Sequence, residues 1–146
     1  MDGMRFEDLS IGQSASFAKT VSEADLVLFA EVTGDTNPVH LDEAYAQTTP
    51  FKGRIAHGML SAAFISAVFG TKLPGPGAIY VSQSLKFKAP VRIGDTVTAL
   101  VELTGLVPGR RFATFRTVCT VDGLTVLEGE ATLLVPPRDQ PSAAGR

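Results

Sequence analysis

The stretch Met59-Leu60-Ser61-Ala62-Ala63-Phe64-Ile65-Ser66-Ala67-Val68-Phe69 carries no charge and is apolar nearly all round. A surface helix shows an apolar stripe opposite a polar face. This one has no polar face, so it must be enclosed. Leu73-Pro74-Gly75-Pro76-Gly77 ends it, because these residues break helical hydrogen bonding. From Ile79 the period changes to two: Ile79, Val81, Leu85 and Phe87 alternate with Tyr80, Ser82, Ser84, Lys86 and Lys88, the pattern of a strand with one polar face. Further strands are predicted over Thr96–Leu106, Arg111–Val121 and Leu124–Val135, the last two joined by the hairpin signal Asp122-Gly123. A long enclosed helix beside an antiparallel meander of four long strands predicts an α+β fold, with a twisted sheet curled over the helix. The edge strands of so small a domain need pairing, which favours a homodimer.

Upstream, Ser14–Thr20 reads as a short strand or extended arm. Ser22 caps a helix with an acidic first turn, and Gly34 stands just past its end. Asn37-Pro38 interrupts regular structure, and Asp42 caps a short helix over Glu43–Gln47. Residues 1–135 form one predicted domain. The Pro/Ser/Ala/Gly-rich tail from Pro136 to Arg146 is predicted to be disordered.

The 146 residues, 45% hydrophobic and 19% charged, suit a compact fold with a real core. A net charge of −2 without a long basic run gives no reason to expect nucleic acid. Cys119 is the single cysteine, so no internal disulfide and no thiolate metal cage is expected. No signal-peptide pattern opens the chain, and no apolar run reaches the roughly 18 residues that span a bilayer. The expectation is therefore no membrane association and a cytoplasmic location.

The chain has two histidines, His40 and His57, and the densest chemistry lies around them. In Gly34-Asp35-Thr36-Asn37-Pro38-Val39-His40 a carboxylate and an imidazole flank an Asn-Pro turn. Asp35 can orient and deprotonate a water, while His40 shares that task or acts as the acid. Burial beside the apolar helix would tune the carboxylate for the role. The competing reading is an Asx-type turn with His40 as its hydrogen-bonding brace. His57-Gly58 sits where a helix N-terminus exposes free N–H groups, making Gly58 N–H a candidate oxyanion donor; an ordinary N-cap glycine fits equally. Asp35, His40, Asp42 and His57 carry metal-ligating atoms, yet paired-histidine helical spacing is absent, and no metal is predicted. Ser61 and Ser66 lack the G-x-S-x-G setting of a nucleophile.

Asp35-Thr36-Asn37-Pro38-Val39-His40-Leu41-Asp42, His57-Gly58-Met59, Ile79-Tyr80 to Phe87 and Val91-Arg92-Ile93-Gly94-Asp95 together resemble the MaoC-like family of (R)-specific enoyl-CoA hydratases. The resemblance runs from Phe6 to about Val135. It implies a hot-dog fold, with the long helix wrapped by the sheet, and a homodimer whose sheets join edge to edge. The implied reaction is reversible addition of water to a trans-2-enoyl thioester of CoA or acyl-carrier protein, without a cofactor. Carried over by position, Asp35 and His40 hold the water, and Gly58 N–H polarises the thioester carbonyl. Asn37, His57, Ser66 and Phe69 join the substrate-binding group, Asn37 bracing the loop. Leu60, Phe64 and Phe69 are the expected tunnel walls, and Lys86, Lys88, Arg92 and Arg110 the candidate partners for CoA phosphates. Thioester hydrolysis and a non-catalytic acyl-thioester-binding subunit are the alternatives that the same fold leaves open.

Overall fold

The computed structural model describes residues 2–139. After a single 3-10 turn at Phe6–Asp8 come β1 (Ser14–Thr20), α1 (Glu23–Thr33), α2 (Pro38–Leu41), α3 (Glu43–Gln47) and α4 (Gly58–Thr71). The chain then forms β2 (Ile79–Gln83), β3 (Lys86–Phe87), β4 (Thr96–Val107), β5 (Phe112–Val121) and β6 (Leu124–Leu134). All described strand pairs are antiparallel, in the order β1-β4-β5-β6-β2, with β3 also against β6.

Alternation builds the inner face of this sheet. Val97, Ala99, Val101 and Leu103 of β4 and Ala113, Phe115, Thr117 and Cys119 of β5 are buried, their neighbours along each strand less so. Against that face lies α4, through Phe64, Ile65, Val68 and Phe69. Each such fully buried large side chain contributes roughly 1.5–3 kcal/mol. A central helix on a wrapping sheet makes this the hot-dog form of the α+β class, although the helix is not enclosed as its sequence predicts, since Met59, Ala63 and Ser66 stay exposed in the single chain.

Two expectations need correction. The meander is interrupted: β4, β5 and β6 follow one another, but β2 pairs with β6, at Ile79↔Leu134, rather than with β4. The place beside β4 goes to the arm, through Ser14↔Glu102 to Thr20↔Thr96. The central helix separates the two edges, so the strand leaving it joins the far one. Nor does the Ile79–Lys88 run form one half-buried strand. It breaks into β2 and β3, with a register shift between Tyr80 and Ser82. Of its apolar side chains Leu85 packs against the core, while Ile79, Val81 and Phe87 lie open in the single chain, 53%, 49% and 55% exposed. At the break the Ser84 carbonyl crosses so close to Gly129 that a Cβ there would stand 1.8 Å from it, and only glycine admits the corner.

The start of the predicted disordered tail is held down. Pro136 O accepts from Phe6 N at 2.9 Å, Arg138 N donates to the Glu7 carboxylate, and its guanidinium pairs with Asp8. Residues 140–146 of that predicted tail lie outside the described residues. Among the described residues no helix is long and apolar enough to cross a membrane.

Candidate active site

The capping box that starts α1 is closed: Ser22 Oγ accepts from Asp25 N at 3.1 Å, and Ser22 N donates to Asp25 Oδ2 at 2.9 Å. The helix stops at Gly34, whose φ of 79° turns the chain away, so Asp35 is mounted on a helix end. Its Oδ1 accepts from Asn37 N at 3.2 Å, and Asn37 Oδ1 in turn accepts from Val39 N at 3.1 Å. Asn37-Pro38 does not merely interrupt structure. Pro38 is the first residue of the one-turn α2, where its missing N–H costs nothing. That turn carries His40 inward, to 8% exposure.

His40 Nδ1 stands 2.7 Å from the Ile55 carbonyl. A carbonyl only accepts, so Nδ1 holds the proton and Nε2 keeps a free lone pair in the neutral ring. Burial, aided by the neighbouring His57, holds the His40 pKa below the ordinary imidazole value, against the opposing pull of the Ile55 carbonyl and Asp35. On the other side, Arg54 Nε donates to the His40 carbonyl at 2.8 Å, and its Nη1 reaches Glu23 at 2.9 Å.

His57, the N-cap of α4, is buried. Its Nε2–H donates to the Asp35 carbonyl at 3.0 Å, and its ring stacks on that of His40, centroids 3.9 Å apart. One side-chain polar atom from each of Asp35, His40 and His57 lies within 4.8 Å of the others. Both imidazoles commit one nitrogen to a backbone carbonyl, which leaves each a single nitrogen to offer an ion, the one on His57 being buried.

Two cavities meet at this cluster. One, of about 500 Å³, is lined by His40, His57, Gly58, Phe51, Phe87 and Lys88 among others. The other, of about 730 Å³, runs along Asp35, Phe29, Ala62, Ala63, Ser66 and Tyr80. Met59 borders both. As the first residue of α4, Gly58 has an N–H with no acceptor inside its own helix.

Comparison with known proteins sorts this arrangement. The MaoC like domain model matches residues 8–123. The chain belongs to the MaoC-like family. An (R)-specific enoyl-CoA hydratase of Rhodospirillum rubrum is 72% identical over 133 residues, 91% of this chain and 92% of that protein. A 3-hydroxybutyryl-CoA dehydratase of Methylorubrum extorquens is 53% identical over 92% of this chain and 86% of its own length. Among solved structures, an R-hydratase of Pseudomonas aeruginosa in unliganded form aligns with a TM-score of 0.88 at 41% identity, covering 99% of this chain and 97% of that one.

Within this MaoC-like chain, Asp35, His40, His57 and Gly58 come together, and Asn37 braces their loop. Ser66 lines the Asp35 cavity. Asp35 is exposed in the single chain, not buried as its sequence setting suggests. Phe69 is packed into the core against Tyr80 and Phe115, with ring centroids at 5.3 and 4.9 Å, and lines neither cavity. Leu60 and Phe64 border a separate groove beside α1. The helix face turned to the Asp35 cavity is Met59, Ala62, Ala63 and Ser66. These side chains recur at i, i+3, i+4 and i+7, a legible signal.

Sequence reasoning missed Arg54, Tyr80 and Gln83. Burial pushes the Tyr80 phenol up to about 12; it donates to Gln83 Oε1, whose amide reaches buried Thr117 at 2.9 Å. Of the four candidate phosphate partners, Lys88 lines the His40 cavity and pairs with Glu128 at 3.5 Å. Arg92 donates to the Phe51 carbonyl at 2.7 Å, and Arg110 lies over the Phe112 ring. Phe112 pairs with Leu134, while Phe87, next to Lys88, pairs with Leu127. Seven residues of β6, from Leu134 to Leu127 and about 23 Å long, thus separate the places of Phe112 and Phe87.

Proposed function

We propose that this protein is an (R)-specific enoyl-CoA hydratase, a hydro-lyase that adds water reversibly to trans-2-enoyl thioesters and gives the (R)-3-hydroxyacyl product. The carrying observation is the pairing of a carboxylate with a bare imidazole nitrogen. Two acceptors that share one water at ordinary hydrogen-bond lengths stand about 4.5 Å apart, and one side-chain polar atom of Asp35 lies within 4.8 Å of one of His40. Both begin as proton acceptors, since His40 Nδ1–H is occupied by the Ile55 carbonyl. The water therefore supplies both atoms that add. Its hydroxyl goes to C3, the proton it gives up passes through the Asp35–His40 pair, and that proton returns to C2 on the same face. Charge building on the thioester oxygen is met by Gly58 N–H at the positive end of α4. The acyl chain enters the Asp35 cavity along Ala62, Ala63 and Ser66, and the pantetheine arm leaves past Gly58, Phe87 and Lys88.

Two copies complete the enzyme in this reading. The open apolar side chains of β2 support an edge-to-edge homodimer that also shelters Asp35. The compartment we assign is the cytoplasm, in keeping with a lone free cysteine.

Loss of enoyl absorbance from crotonyl-CoA tests the assignment. Asp35→Asn and His40→Gln are each expected to slow hydration by a factor of roughly 10²–10⁴, with unfolding temperature unchanged for exposed Asp35. Release of free thiol without hydration would instead identify a thioesterase.

A further inference from the structure

His57 sits among the catalytic groups without a role in the chemistry above. It is 2% exposed and touches each of them differently. Its Nε2–H holds the Asp35 carbonyl, its ring face lies on His40 at an interplanar angle of 29°, and its own peptide leads into Gly58. The tilted Phe29 ring of α1 packs on it, with centroids 4.9 Å apart. Its second nitrogen, Nδ1, is buried with no hydrogen-bond partner among the described residues.

That unpartnered nitrogen is the informative part. A buried lone pair without a donor is a cost that selection for stability alone would remove. Phenylalanine would keep the stacking face but leave the Asp35 carbonyl without its donor, and glutamine would keep the donor but lose the ring. At this buried position an imidazole supplies a flat face and an in-plane N–H together in a small ring.

We propose that His57 is the positioning residue of the site, a buried imidazole that holds Asp35, His40 and Gly58 in one frame through its Nε2–H, its ring face and its own peptide. This rests on the hydratase reading and deepens it. The proton sits on Nε2 because only there does it meet an acceptor. His57 then fixes the Asp35 backbone and keeps the His40 ring from rotating its free Nε2 away from the water. The charged groups around the pair are Asp35, Arg54 on the His40 carbonyl and Glu23 on Arg54. None of them contacts His57 through a side-chain hydrogen bond or ion pair among the described residues.

The test separates the two contacts. His57→Gln retains a donor toward the Asp35 carbonyl and removes the ring; His57→Phe retains the ring and removes the donor. In purified variants with crotonyl-CoA, kcat is expected to fall at least tenfold in each, with KM changed less than threefold. Both variants are expected to move the acid limb of the pH profile upward, because each removes the imidazole whose charge disfavours His40 protonation. A residue serving only stability would not move that limb. Wild-type kcat and an unmoved limb in both variants would overturn the proposal. Should the variants not fold, ¹⁵N imidazole shifts of the wild-type protein decide it: His57 protonated at Nε2 supports the frame, and protonation at Nδ1 alone overturns it. Wild-type protein inactive on enoyl thioesters would sink the hydratase reading, and His57 is then judged on that tautomer.

Discussion

The rings of His40 and His57 stack with their centroids 3.9 Å apart, so a proton on His40 is placed against a second imidazole inside the protein. Burial first, and that neighbour next, hold the His40 pKa below the ordinary value of 6.5. The acid limb of kcat/KM is therefore expected below pH 6.5. The same shift affects stability. As pH falls below 6.5 the unfolded chain takes up the proton first, so His40 favours the fold fully above that pH and its contribution is lost toward the lowered native value. Unfolding temperature measured from pH 7 to 5 should drop more in wild type than in His40→Gln. An acid limb above 6.5 would contradict the buried neutral ring.

At Gly58 a methyl group would stand 2.6 Å from Phe87 Cε1 and 2.7 Å from Cδ1. Gly58→Ala must displace that ring, at about 1–3 kcal/mol, and crowds the approach of a thioester oxygen to the N–H. Lower unfolding temperature and at least tenfold lower activity are expected. Adding Phe87→Ala should restore the temperature but not the activity. Recovery of both would show that Gly58 serves packing alone.

Ala63 lines the Asp35 cavity from the middle of α4. Ala63→Leu is expected to raise KM for eight-carbon enoyl-CoA by an order of magnitude while crotonyl-CoA changes little, since hydrophobic pockets discriminate by about 1–3 kcal/mol per methylene. Equal effects on both chain lengths would move the acyl chain elsewhere.

Val81 lies open on β2, at the end of the strand order. A lysine on an edge strand opposes pairing. Val81→Lys is expected to halve the mass seen by light scattering and to lower activity with it. A wild-type protein already monomeric at micromolar concentration would remove the dimer from the proposal.

Much of this was legible because the signals were local. Ser22 with Asp25, Gly34, Asp42 and Asp122-Gly123 mark where elements begin and turn, and their chemistry acts within a few residues. Strand order was not legible, because nothing local to Ile79 states which edge it reaches once the helix lies between. The apolar character of β2 was visible but misread: alternation reports a face that needs cover, and a second chain can supply cover as well as the core. In α4 the largest side chains drew attention as tunnel walls, yet Leu60, Phe64 and Phe69 face other packing. Close contact with a sheet demands bulk, and the open side is left to Ala62, Ala63 and Ser66. The role of Arg54 was hidden because one of its partners is the His40 carbonyl and another, Glu23, stands 31 residues away, so neither leaves a local sequence signature.

Asp35, His40, His57 and Gly58 all fall between the end of α1 and the first residue of α4, whereas the walls of the Asp35 cavity are drawn mainly from α1, α4, β2 and Leu85 beyond it. Reactivity and selectivity therefore have separate addresses in the chain. Substitutions along Ala62, Ala63, Tyr80 or Phe87 can retune which acyl group is accepted while the segment that handles water is inherited intact, so evolution or a designer can change the substrate without relearning the reaction.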